Sequence, residues 1–81
     1  MKPKLEFSEK ARNLKPGIYE HYKGNRYKVL GVSHHSETLE ELVVYQALYS
    51  DGDLWVRPID MFFDEKEIDG KKVPRFKFIE N

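Results

Sequence analysis

The sequence predicts a mostly β domain: a small SH3-like barrel of about five antiparallel strands with a short N-terminal helical turn. Three observations carry that expectation. Segments rich in β-branched and aromatic residues, such as "GIYEHY", "RYKVLGVSHH", "LVVYQALY" and "LWVRP", are separated by short turn signals. Aromatics reach 14%, and no heptad, repeat or low-complexity tract interrupts the pattern. With 81 residues there is room for one core, able to bury roughly 60–65% of the unfolded surface.

Each element follows from local chemistry. Residues 1–7 have no sustained period and read as a loose arm. In "SEKARNL" Ser8 is placed to accept from the free amides of a first helical turn, and Pro16-Gly17 ends that turn. The arm therefore spans 1–15 and the β domain 16–81. "GIYEHY", "KGN" and "RYKVLGVSHH" form a hairpin whose left-handed position falls to Gly24 or Asn25. Leu30 and Val32 are apolar on the face opposite Tyr27 and Val29, and Gly31 sits at the change, which predicts a bulge that bends the strand. "SHHSETLEE" follows as a loop, with Ser36 and Glu40 as capping candidates.

The next hairpin is built on Asp51-Gly52. Taken as a type I′ turn, it pairs Tyr49 with Leu54, Leu48 with Trp55, Ala47 with Val56 and Gln46 with Arg57. One face then carries Tyr45, Ala47, Tyr49, Leu54 and Val56 as core; the other carries Gln46, Leu48, Trp55 and Arg57. Pro58 stops the strand, and "IDMFF" makes a short turn that plugs the core with Met61, Phe62 or Phe63. Asp69-Gly70 turns a last hairpin, and "KKVPRFKFI" returns to pair near the first strand with Phe76 and Phe78 on one face.

Charge is balanced overall, with fourteen Lys/Arg against fourteen Asp/Glu. That argues against binding driven by phosphate neutralisation. It is nonetheless segregated: residues 1–31 carry +5, residues 32–70 carry −8 and residues 71–81 carry +3. Such a surface suits a protein partner, or pairs its own ends with its middle. Cysteine is absent, which excludes disulfides and thiolate sites and fits a cytoplasmic setting. No apolar run is long enough to span a bilayer or to serve as a signal peptide.

Three candidate sites emerge. Gln46, Trp55 and Arg57, joined by His35 and Glu37, offer an amide, an indole and a planar guanidinium for a peptide or small anionic ligand. The structural alternative pairs Arg57 with Glu37, Glu40 or Glu41 while its stem covers Trp55. Tyr22, Lys23, Arg26 and Lys28 can stack on and neutralise a single nucleic-acid strand. His21, His35 and Glu37 are chemically able to hold zinc for a minimal hydrolase, although no standard ligand spacing is present and no cofactor is expected. Adjacent strand residues face opposite ways, so His34 and His35 cannot ligate one ion together. Ser33 and Ser36 lack the strained turn and oxyanion loop of a nucleophile. Arg75 is placed to pair with the acidic middle of the chain.

The runs "YEHYKGNRYKV", "HSETLEELVVYQALY", "LWVRP" and "VPRF", within about Pro16 to Phe78, resemble the bacterial family known as domain of unknown function 1653. The resemblance implies a single small β domain with an SH3-like barrel. It supplies no reaction, cofactor or catalytic residue, and it includes His35 but not His34. The expected function is a non-enzymatic binding module.

Overall fold

A computed structural model describes residues 6–81; the first five residues of the expected arm lie outside the described residues. In chain order the elements are α1 (Glu9–Arg12), β1 (Gly17–His21), β2 (Arg26–His34), β3 (Glu41–Ala47), β4 (Leu54–Pro58), α2 (Ile59–Phe62), β5 (Glu65–Ile68), β6 (Lys71–Pro74) and β7 (Phe76–Glu80). Over the described residues the fold is mostly β, with seven strands in two antiparallel sheets. Five strands form one sheet in the order β4-β3-β2-β1-β7, and β5 with β6 forms a separate hairpin. The expected barrel is not closed by strand pairing, since β4 and β7 are edges and do not bond to each other.

Ser8 caps α1, its hydroxyl accepting from the Ala11 amide at 3.2 Å. Glu41, the first residue of β3, clamps the same serine by accepting from its amide and its hydroxyl, each at 2.6 Å. α1 thereby lays Ala11 and Leu14 into the core beside Tyr19, Val29, Val43, Tyr45, Ile59, Phe62 and Phe76. Phe62, in the "IDMFF" turn, is the core plug, stacked on Phe76 at 4.3 Å; Met61 and Phe63 stay exposed. β1 and β7 run so close at Gly17 that a Cβ there would lie 2.5 Å from the Glu80 carbonyl oxygen. Only glycine fits.

The bulge expected at Gly31 is present: β2 pairs with β3 through Val29↔Tyr45, then shifts to Gly31↔Val44. The last hairpin also forms as expected, with Asp69 and Gly70 at positive φ and Ile68 facing Lys71. The Asp51-Gly52 register does not. β4 pairs as Gln46↔Leu54, Tyr45↔Trp55, Val44↔Val56 and Val43↔Arg57, three residues away from the expectation. Leu48 and Tyr49 leave the ladder because they are drawn sideways to β2. The Leu48 amide donates to the Arg26 carbonyl at 3.0 Å, and the Tyr49 hydroxyl meets that of Tyr27 at 2.8 Å. The turn lengthens to Leu48–Asp53, closed by Ala47 N–H to Asp53 O at 2.9 Å. An odd shift exchanges the faces of β4, so Trp55 and Arg57 lie on the side of Tyr45, while Leu54 and Val56 lie on the outer side with Gln46.

Candidate functional site

β2 has nine residues, so its ends are about 30 Å apart. At one end the chain turns through His35. Its Nδ1 accepts from the Glu37 and Thr38 amides, its own amide donates to Glu40 O, and its carbonyl accepts from Leu39 N–H. The cap of this turn is therefore His35 and not Ser36. His34 is stacked on Phe7 at 4.4 Å, and the Ser33 hydroxyl is placed 3.4 Å from the Leu42 carbonyl. The polar groups of "SHHSETLEE" mostly serve its own fold.

His21 lies at the other end, one turn before β2 begins. Its Nδ1 accepts from the Lys23 amide at 3.1 Å, and its ring meets the edge of Phe76 at 5.0 Å. Burial, then the nearby positive charges of Arg57, Arg75, Lys23 and Lys66, hold its pKa below the usual histidine value. The proposed zinc set is thus divided between two ends of a strand. Among the described residues no group of three His, Asp or Glu side chains is arranged to hold a metal ion.

Arg57 and Arg75 meet around Phe76, and they differ. Arg75 makes a two-pronged bond to Asp64, Nε to Oδ1 at 2.6 Å and the terminal nitrogen to Oδ2 at 2.9 Å. Its hydrogen bonds hold the Asp64 carboxyl below the usual carboxylate range. The arginine backbone completes the junction: Arg75 N–H donates to Asp64 O, and Arg75 O accepts from Tyr22 N–H, both at 2.9 Å. Arg75 thus finds its partner in the acidic middle of the chain, as expected.

Arg57 is half-buried, its guanidinium 5.8 Å over the Phe76 ring and its Nε donating to the Tyr45 hydroxyl at 3.3 Å. Among the described residues no carboxylate lies within ion-pairing distance of it. The structural alternative of pairing with Glu37, Glu40 or Glu41 is not adopted. Glu41 serves Ser8, and neither Glu37 nor Glu40 makes an ion pair with Arg57, although Arg57 faces Val43 near the end of β3 that this turn enters. Trp55 shares the face of Arg57 and is exposed. Gln46 does not: it points to the outer side, where its amide donates to Gly52 O at 3.1 Å.

Of the five residues first grouped, the structure therefore brings together Trp55 and Arg57, leaves His35 and Glu37 in the far turn, and turns Gln46 away. It adds His21, Tyr45, Phe76 and Lys66. His21 also lines a cleft of about 400 Å³ with Glu20, Tyr22, Ile68, Val73, Pro74 and Lys77, between the end of β1 and the β5–β6 hairpin. Of the nucleic-acid candidates, Arg26 is paired with Glu20 at 3.3 Å, and the Lys23 ammonium sits over the Tyr22 ring at 5.9 Å. No helix among the described residues is long and apolar enough to cross a membrane.

Comparison with known proteins adds relatives but no activity. A family model described as "Protein of unknown function (DUF1653)" matches residues 17–78. A crystal structure of a DUF1653 protein from Bordetella bronchiseptica is similar at 31% identity and a TM-score of 0.78, covering 85% of this chain and 91% of that one. No curated protein matches the chain.

Proposed function

We propose that this chain, which belongs to the DUF1653 family of proteins of unknown function, is a binding module that receives an anionic group of a peptide or small ligand on Arg57. One observation carries the reading. Two arginines border the same phenylalanine, and only Arg75 is bonded to a carboxylate, Asp64, whose charge Arg57 feels without pairing with it. A half-buried guanidinium with its terminal nitrogens free of ion pairs favours a carboxylate or phosphate, which it can bind through two parallel hydrogen bonds. Tyr45 and Phe76 hold it in place. Lys66 adds to the positive field, the same field that helps keep the His21 ring neutral, and Trp55 gives the ligand an apolar neighbour. The cleft that shares His21 takes the ligand's apolar part.

Binding rather than catalysis is the reading because, among the described residues, the candidate serine nucleophiles and histidine bases do not come together. The His35 ring nitrogen is engaged by its own turn, and the Ser33 hydroxyl turns to a backbone carbonyl. The test is a nuclear magnetic resonance titration with inorganic phosphate and with a short acetylated Glu-rich peptide. The Arg57 Nε–H and Trp55 indole signals are expected to move together and to saturate, and Arg57→Ala is expected to abolish the response at Trp55. Responses confined to exposed lysines would overturn the reading.

A further inference from the structure

The two edges of the five-stranded sheet are built differently. β7 carries charged, exposed Lys77 and Glu80 along its length, the usual protection against pairing with another strand. β4 exposes Leu54 at 63%, Trp55 at 51% and Val56 at 58%. Its free backbone groups can be assigned from the ladder. Ala47 N–H bonds to Asp53 O, so Ala47–Asp53, Tyr45–Trp55 and Val43–Arg57 are the hydrogen-bonded pairs, and Leu54 and Val56 turn their N–H and C=O groups away from β3. Pro58, two residues further, offers no donor and limits the free edge to those two residues.

We infer that β4 pairs with β4 of a second copy of this chain, antiparallel and centred on Trp55. The inference rests on the reading of Arg57 as an anion receiver and names the partner of that residue. Three features of the edge agree on this one register. Leu54 falls opposite Val56 of the other copy, so the outward backbone groups of both meet and form about four hydrogen bonds across the two-fold axis. Asp53 falls opposite Arg57, on the same face, and each lacks an ion-pair partner among the described residues. Leu54 and Val56 continue the outer apolar row of Leu42 and Val44 into the second copy. A shift by one residue would set N–H and C=O groups out of phase, and a shift by two would separate Asp53 from Arg57. The contact is small, which suits a weak, concentration-dependent dimer.

Sedimentation velocity of the whole chain from micromolar to millimolar concentration tests this. The parent is expected to pass from monomer to dimer. Asp53→Arg and Arg57→Glu are each expected to remain monomeric, because both cross-strand contacts become repulsive. Mixed together, the two variants are expected to form a one-to-one dimer, since each contact is then complementary. Val56→Pro removes only outward donors and is expected to raise the dissociation constant at least about tenfold while leaving the fold's circular dichroism unchanged. A parent that stays monomeric at millimolar concentration would overturn the pairing. So would a mixture that fails to associate when both variants are folded. Neither result touches the phosphate response of Arg57 in the monomer, which decides the anion reading separately.

Discussion

The two ends of β2 use the same local device for different ends. At each, a histidine closes a strand and its Nδ1 accepts an amide two residues on: Lys23 for His21, Glu37 for His35. The difference lies in what the neighbouring strands bring. At the His35 end they bring a glutamate that holds a helix cap, and the groups satisfy one another. At the His21 end they bring Phe76, Arg57, Arg75 and Lys66, where Asp64 is taken by Arg75 and Glu20 by Arg26. Clustered polar residues in a sequence therefore say less about a site than charge that the fold leaves unanswered.

The contrast is broken most severely by Phe76→Ala. This ring stacks on Phe62, lies under Arg57 and meets the edge of His21, so its loss is expected to cost about 3–5 kcal/mol in denaturant unfolding. A cost below about 1.5 kcal/mol would mean that the His21 end does not share the core. At the opposite end, Ser8→Ala removes a helix cap and the partner of Glu41, and is expected to cost about 1 kcal/mol without altering the phosphate response at Trp55. His35→Ala is expected to cost about 0.5–1 kcal/mol, again with that response intact; loss of the response would join the two ends in one site.

Acid sharpens the comparison. The native pKa of His21 is depressed, so the unfolded chain takes up a proton first. Stability is complete above about pH 6.5 and declines as pH falls from there towards the native value. Asp64 and Glu41, held low by hydrogen bonds from Arg75 and Ser8, act in a separate window. Their contribution is present above the ordinary carboxylate pKa near 4 and is lost below it. Unfolding midpoints measured from pH 7.5 to 2.5 are expected to fall in two stages, and His21→Gln to remove the upper one alone. A single stage below pH 4 in the parent would contradict this assignment.

Much of the fold was legible because it depends on short-range chemistry. Ser8 before a helical turn, Gly31 at a bulge, Asp69-Gly70 in a tight hairpin and a core plug drawn from Met61, Phe62 or Phe63 each follow from a few neighbouring residues; the structure chose Phe62. The register of β4 was not, because the competing interactions come from afar. A Tyr27–Tyr49 hydroxyl pair, where burial and Tyr49 push the Tyr27 pKa up to about 12, and a bond from Leu48 to Arg26 draw the end of β3 out of the Asp51-Gly52 turn. That one displacement separated Gln46 from Trp55 and Arg57. His21 was visible only as a metal candidate, since its real neighbours come from β4, β5 and the junction before β7. The charge segregation gave no signal for this cluster, because Arg57 and Lys66 are the two basic residues of the acidic middle and only Arg75 and Lys23 come from the basic ends.

The most direct measurement is the pKa of His21, followed by its ring carbon proton signals with and without phosphate. A value below the usual 6.5 that rises when phosphate binds, and that no longer rises in Arg57→Ala, is the result expected if Arg57 and its neighbours form an unneutralised anion site. A His21 pKa that phosphate does not move, in a protein whose Arg57 is intact, would contradict the central claim.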